Sequence, residues 1–344
     1  LKTHEEKTRE EWLRERAAGV GGSEAAAVCG LSPWQTPLDV YMSKVGYLDG
    51  VGRGRDDETP DMRRGTLLEP VVLQLYTDET GIAVQKPAEA MESPDFPFMR
   101  ANLDGLTIDG EIVIEAKTSR WKVPPGSSDP AKRWGDPWTA EIPLVYLFQV
   151  QHNMVVSRRT TCHVPVLFGD FEFAIYEVSA DSEFQELMIE EERRFWGMVE
   201  ARTPPDPIND ADVSKRWPVS QPRQRKASQE ALEIGGYLLA VREYFKRLED
   251  LKTGLEAELK RLMEEDEELV AGDEVICSWK TAKGGKRFDA KKFQADYPDL
   301  YGQYAYLGAP SRRFLFKEKA QILQVMKPLL AENLLPARKL LQGK

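Results

Sequence analysis

Residues 101–117, "ANLDGLTIDGEIVIEAK", gather two carboxylates and an amine into one short stretch: Asp104, Glu115 and Lys117. The Asp109-Gly110 pair between two alternating apolar runs predicts a tight hairpin. In that hairpin residue 108 faces 111, 106 faces 113 and 104 faces 115. Strand side chains alternate, so Glu115 and Lys117 share a face, and Asp104 joins them. Carboxylates set across a ladder repel and raise each other's pKa, and a cation between them relieves this. Together with the Ala116 carbonyl they offer hard oxygen ligands for Mg²⁺, which takes few carboxylates and keeps several waters. Lys117 would orient or activate a metal-bound water and offset charge at a phosphate. The chemistry indicated is metal-assisted phosphodiester hydrolysis. Strands carry exposed Glu and Lys routinely, so the spacing needs support from elsewhere in the chain.

The elements that must position this hairpin follow from the flanking patterns. A helix is expected from about Glu5 to Arg16, with Trp12 and Leu13 on its apolar side. In "GVGGSEAAAVCGLSPW" a glycine loop leads to Ser23 as N-cap of a short small-residue helix, stopped by Gly-Leu-Ser-Pro. Residues 36–48 read as a further short helix, 52–62 as a polar loop, and "RRGTLLEPVVLQLYTDETG" (63–81) as a helix ended by Gly81. A strand near 82–86 precedes the hairpin, and an irregular stretch (121–140) follows it. "PLVYLFQVQHNMVVS" (143–157) reads as a buried helix, 160–168 and 171–178 as a strand hairpin, and about 182–201 as a helix. This order of helices around a mixed sheet predicts an α/β or α+β domain over 1–203.

Residues 204–225 are rich in proline and lack periodicity, which marks a linker. Beyond it, 226–344 reads as a long helix (about 226–268) followed by a small αβ module. That module has a strand at 273–280, a helix at 289–297, a strand near 312–316 and a closing helix at 318–341. The long helix carries Val241, Phe245, Leu248, Leu251, Leu255, Leu259 and Leu262 at near-heptad spacing, which suits either packing within its own domain or a coiled coil.

At 344 residues, 41% hydrophobic and 30% charged, the composition is that of a soluble globular protein, large enough to need no staples. No run has the length of a membrane span, and the charged beginning lacks signal-peptide character. Three scattered cysteines argue against a disulfide framework, a zinc ribbon or an iron–sulfur cluster, and for a reducing cytoplasm. The net charge of −10 speaks mildly against nucleic-acid binding, but the distribution of charge decides. Two segments, 214–226 and 280–292, are strongly basic.

Four ordered blocks resemble a known family: "EWLRERAAGVGGSEAAAVCGLSPW" (11–34), "RRGTLLEP" (63–70), "ANLDGL…IEAKTS" (101–119) and "FQVQHNMVV" (148–156). Together they resemble the YqaJ-type viral recombinase exonucleases, relatives of the phage lambda exonuclease within the PD-(D/E)XK nucleases. The resemblance implies a PD-(D/E)XK restriction-endonuclease-like α/β core, a mixed central sheet flanked by helices, with a C-terminal helical/αβ extension. It implies Asp104, Glu115, the Ala116 carbonyl and Glu69 as ligands of Mg²⁺ (Mn²⁺ substituting, two ions per site), with Lys117 as catalytic lysine. Gln149 or Gln151 would support Lys117 or the phosphate; they lie 200° apart on a helix, so only one can face the site. Neighbouring His152 reads as a surface or packing residue. Arg16 and Ser23 match positions that in relatives hold the 5′-phosphate of a DNA end, with Gly22 presenting its N–H, and Trp12 matches an aromatic near the terminal base pair.

By this resemblance the protein is expected to digest one strand of linear double-stranded DNA 5′→3′, leaving 3′ single strands for recombination. A single-strand annealing protein would be its partner, and a homo-oligomer, such as a trimeric ring, its assembly, with no membrane association. Two rivals keep the fold: an endonuclease cutting internally, and an inactive DNA-binding or scaffold protein. The region 226–344 could grip single strand through Phe288, Tyr297, Tyr301, Tyr304 and Tyr306, or serve assembly and partner contact.

Overall fold

The computed structural model describes residues 15–48, 59–123, 129, 132–169, 171–282, 284–285 and 288–306. The chain divides into two compact units, Leu1–Trp217 and Pro218–Lys344. Helices of the first unit include α1 (Gly22–Val28), α2 (Pro37–Leu48), α3 (Pro60–Thr80), α4 (Leu144–Ser157), α5 (Ser182–Glu200) and α6 (Asp210–Arg216). Its strands include β1 (Val20–Gly21), β2 (Val84–Gln85), β3 (Met91–Glu92), β4 (Met99–Ala101) and β5 (Gly105–Thr107). They continue with β6 (Ile112–Ile114), β7 (Lys117–Ser119), β8 (Thr161–Phe168) and β9 (Phe173–Ser179).

The central sheet is mixed. β5 lies antiparallel to β2 and β6, β6 runs parallel to β8, and β9 closes the other edge of β8 antiparallel. β7 carries on from β6 along the same edge of β8: Ile114 pairs with His163 and Lys117 with Val166, in one register. At the gap between them β8 holds Pro165, which has no N–H to give a ladder. The interruption falls on Glu115 and Ala116, so the ladder breaks where the carboxylates cluster. β8 itself is buried nearly throughout, as expected of a strand covered on both faces. α4 packs between this sheet and a second, small sheet of order β1-β4-β3. Val150, Met154 and Val156 of α4 meet Val113, Val164 and Met99 in the largest apolar cluster.

The Asp109-Gly110 hairpin has the anticipated register, Leu106 opposite Val113 and Gly105 opposite Ile114. Gly110 takes positive φ (75°) and its N–H closes the turn on the Thr107 carbonyl at 2.7 Å. α3 begins three residues before the expected start because Thr59 caps it, accepting from the Met62 N–H, and Pro60 suits the first turn. It ends, as expected, at Gly81 in the left-handed region. α1 differs from the expectation at its cap. Gly21, not Ser23, is the N-cap, and the Gly21 N–H donates to the Glu24 carboxylate at 2.9 Å. That leaves the Ser23 hydroxyl inside the first turn with another partner.

The stretch read as a linker, 204–225, holds α6 within the first unit. Asp212, fully buried, accepts from the Thr36 hydroxyl at 2.9 Å, and Lys215 pairs with Asp39 at 2.5 Å. These contacts fasten α6 to the start of α2. Strands β1, β3 and β4 were not anticipated.

The second unit contains α7 (Gln229–Met263), β10 (Glu268–Ala271), β11 (Glu274–Ser278), α8 (Ala290–Asp296) and α9 (Pro298–Tyr304). α7 stops at Glu264 (φ 50°), short of the expected end, and the residues beyond it pair β10 antiparallel with β11. Phe245, Leu248, Leu251, Leu255 and Leu262 of α7 are exposed, as are Phe288, Tyr297, Tyr304 and Tyr306. The strand and helix expected at 312–316 and 318–341 lie outside the described residues, as does most of the helix expected over 5–16.

Candidate active site

The register of β5 and β6 carries Asp104 and Glu115 to the end of the ladder, where the strands separate. Freed from β5, the Ala116 N–H donates to Asp104 Oδ2 at 3.0 Å. Glu115 is buried, and its N–H stays in the sheet, bonded to the His163 carbonyl at 3.0 Å. Its carboxylate is gripped on both oxygens. Oε1 accepts from Lys117 Nζ (2.5 Å) and Gln149 Nε2 (2.6 Å), and Oε2 accepts from Asn153 Nδ2 (2.8 Å). Lys117 Nζ also donates to Gln149 Oε1 at 3.0 Å and sits 5.1 Å from the centre of the Tyr146 ring.

Burial, and then the nearby Glu115 carboxylate, hold the Asp104 carboxyl well above the usual range, against the pull of Lys117. For Lys117 burial alone would lower the pKa; the Glu115 and Asp104 carboxylates outweigh it and push it up to about 12. Lys117 is therefore an ammonium at neutral pH, in this arrangement a cation rather than a base.

The alternative left open by the sequence resolves on α4. Gln149 and Asn153 are one turn apart and face Glu115 together. Gln151 does not join the site. It is buried on another side of the helix, where Nε2 donates to the Ser179 carbonyl (2.9 Å) and Oε1 accepts from the Asp181 N–H and from Gln185. His152 is a packing residue, bonded to Glu192 at 2.8 Å and to the Arg100 carbonyl at 2.9 Å. Asn153 went unnoticed in the sequence, although its i+4 spacing from Gln149 was the available signal.

Glu69 lies on α3 near enough for its charge to raise Asp104, while its carboxylate pairs with Lys86 at 2.6 Å. Among the described residues no three Asp, Glu, His or Cys side chains converge tightly enough to hold a metal ion unaided. Lys86 pairs with Glu69, and Lys117, Gln149 and Asn153 bond Glu115. The donor chemistry nevertheless fits a hard divalent cation. Two carboxylates are forced together in a buried place, and one of them resists ionisation.

A second cluster sits at α1. Arg16 donates to Ser23 Oγ at 2.8 Å, and its guanidinium lies 3.5 Å from Glu24. Behind it the buried Lys44 ammonium bonds Glu24 (2.6 Å) and the Arg16 carbonyl (2.7 Å). Burial works to raise the Glu24 pKa, but Lys44 and Arg16 prevail and hold it below the usual value, so Glu24 remains a charged brace for Arg16. Neither Glu24 nor Lys44 stood out in sequence, since each reads as an ordinary helix charge. Gly22 is buried against α4: a Cβ there would lie 2.4 Å from Asn153 Oδ1 and 3.3 Å from the Gln149 carbonyl. Only glycine lets α1 approach so closely, which places the Arg16–Ser23 pair beside the residues that hold Glu115. Trp12 lies outside the described residues.

Residues 11–163 match the model of the YqaJ-like viral recombinase domain. The match spans α1, α3, the carboxylate hairpin and α4, and so takes in both clusters. The uncharacterized protein YqaJ of Bacillus subtilis (strain 168) is 27% identical over 310 residues, 88% of this chain and 92% of that protein. Among solved structures, the alkaline exonuclease LHK-Exo from Laribacter hongkongensis is similar at 21% identity and TM-score 0.43, covering 56% of this chain and 94% of that one. A putative exonuclease from Eubacterium rectale is similar at 11% identity and TM-score 0.42, covering 64% and 96%. No helix among the described residues is long and apolar enough to cross a membrane.

Proposed function

We propose that the protein is a metal-dependent exonuclease that degrades one strand of linear double-stranded DNA from its 5′ end, leaving a 3′ single strand. The observation that carries this reading is the pairing of two clusters on α4. Asp104, Glu115 and Lys117 are held by Gln149 and Asn153, and Arg16 with Ser23 is docked alongside through Gly22.

Mg²⁺, or Mn²⁺ in its place, would be held by Asp104, Glu115, the Ala116 carbonyl and Glu69, the last released from Lys86. When bound it supplies Lewis acidity and charge neutralisation at the scissile phosphate. The Lys117 ammonium lies where negative charge develops on the phosphoryl oxygens. Gln149 bonds both Lys117 and Glu115, so it sets the distance between cation and carboxylate. Water adds to phosphorus, the P–O3′ bond breaks and a proton passes to the leaving 3′-oxygen. Arg16, braced by Glu24 and Lys44, and the Ser23 hydroxyl would grip the 5′-phosphate, which confines cutting to ends. A single-strand annealing protein is the proposed consumer of the 3′ strand. A homo-oligomeric ring would need a basic lining only in its channel, consistent with the acidic whole.

The test compares nucleotide release from 5′-phosphorylated linear duplex with that from covalently closed circles, with Mg²⁺. Linear DNA alone should be degraded, and Lys117→Ala should slow turnover on the order of 10²–10³-fold or more, as removal of a transition-state cation does. Equal cutting of the circle would make the enzyme an endonuclease and remove the role given to Arg16 and Ser23.

A further inference from the structure

Trp34 presents an exposed ring to solvent, 59% accessible, on a loop that the fold holds firmly. Gly30 turns out of α1 at φ 72°, and the Leu31 N–H returns to the Ala26 carbonyl at 2.8 Å. The Ser32 hydroxyl accepts from the Trp34 and Gln35 N–H groups, and Thr36 then caps α2 by accepting from the Asp39 N–H. A tryptophan fixed in this way loses little entropy when it binds something, yet forgoes burial while it waits.

Its position indicates the occupant. The Trp34 ring packs 6.4 Å from Tyr146, centroid to centroid, and Tyr146 stacks on buried Trp134 at 5.3 Å. On Tyr146 too lies the Lys117 ammonium, 5.1 Å from its ring. An aromatic path thus runs from the reacting centre outward, ending at an open indole. A strand whose phosphate lies at Lys117 carries its bases within reach of that indole, and every base has a π face to offer.

We propose that Trp34 stacks on an unpaired base of the strand being cut, fixing the nucleotide beside the scissile phosphate; this rests on the nuclease reading above. Tyr146 backs the ring and keeps its plane from turning away. Stacking does not read sequence, so Trp34 would tighten binding and positioning alike for all four bases.

The experiment measures single-turnover cleavage by wild type, Trp34→Ala, Trp34→Leu and Trp34→Phe on linear duplexes. The duplexes are either intact or carry one abasic site, moved through the first few nucleotides of the 5′-ended strand. On intact DNA, Trp34→Ala and Trp34→Leu should lose about five- to 150-fold in kcat/KM, the effect of one lost base–aromatic stack, and Trp34→Phe should keep most activity. At one abasic position wild type should fall to the level of Trp34→Ala, with no further loss in the variant. If Trp34→Leu matches wild type, the ring merely packs and the proposal is overturned. The same holds if Trp34→Ala loses equally at every abasic position, or if it cuts intact DNA as wild type does, the indole then serving another occupant such as a protein partner. A wild-type enzyme that cuts no duplex overturns the nuclease reading and this inference with it, an outcome distinct from the others.

Discussion

Asp104 is the residue on which stability and chemistry pull apart. Its carboxyl is raised by burial and by Glu115, so the folded chain binds a proton there more tightly than the unfolded chain does. Without metal, the stability this group contributes is therefore complete below the ordinary carboxylate range and is lost as pH rises through the raised value. Asp104→Asn keeps an oxygen to accept from the Ala116 N–H but carries no charge. The variant should melt higher than wild type in chelator at neutral pH and be inactive. Mg²⁺ at about 100 times its Kd should stabilise wild type by about 2.7 kcal/mol, by mass action, and leave Asp104→Asn unmoved. Thermal unfolding with and without Mg²⁺ checks both; a variant that melts lower in chelator would show that the carboxylates are not in conflict.

At the scale of the element, α4 carries separate duties on separate faces. Gln149 and Asn153 serve Glu115, while Gln151 ties the helix to the start of α5. Gln149→Ala should lower turnover with little change in melting temperature. Gln151→Ala strands a buried N–H and a carbonyl, so it should destabilise by about 1–3 kcal/mol while sparing turnover per folded molecule. Denaturant titration beside single-turnover cleavage separates the two. His152, between them, is buried against Glu192; burial works to lower its pKa, but Glu192 prevails and raises it. A raised histidine contributes stability that is complete below the unfolded value of about 6.5 and is lost as pH rises through the folded value. The stability gap between wild type and His152→Gln, followed by melting against pH, should accordingly narrow from mildly acidic toward alkaline pH.

At the scale of the whole molecule, the first unit extends past the end that composition suggests. A chain ending at residue 203 would lose α6, leaving the Thr36 hydroxyl without Asp212 and Asp39 without Lys215. A chain ending at 217 would keep both. The shorter should melt measurably lower, by an amount on the order of one buried hydrogen-bonded charge, about 1.5–3 kcal/mol. Equal melting would show α6 to be a passenger. The exposed apolar row on α7 and the exposed aromatics after β11 belong to the second unit, whose contribution to assembly or DNA the same truncations would report.

The carboxylate hairpin was legible in the sequence because its determinants are local. A turn pair and an alternating pattern set the register, and a period of two then places Asp104, Glu115 and Lys117 on one side. The helices α3 to α5 were legible from their apolar patterns, and the end of α3 from Gly81. Tertiary structure alone decided the rest. Gln149 and Gln151 are equally apt as residues, and only the packing of α4 against Glu115 chose between them. Glu24 and Lys44 became the brace of Arg16 because α1 and α2 met, and Gly22 proved a close-packing residue because Asn153 lies 2.4 Å from where its Cβ would be. Trp34 and Lys117 meet the same Tyr146 ring though 83 positions separate them in the sequence. Chain-local rules fix what a residue can do and which way a strand faces, whereas the neighbours that turn it into a site come from burial of apolar surface elsewhere.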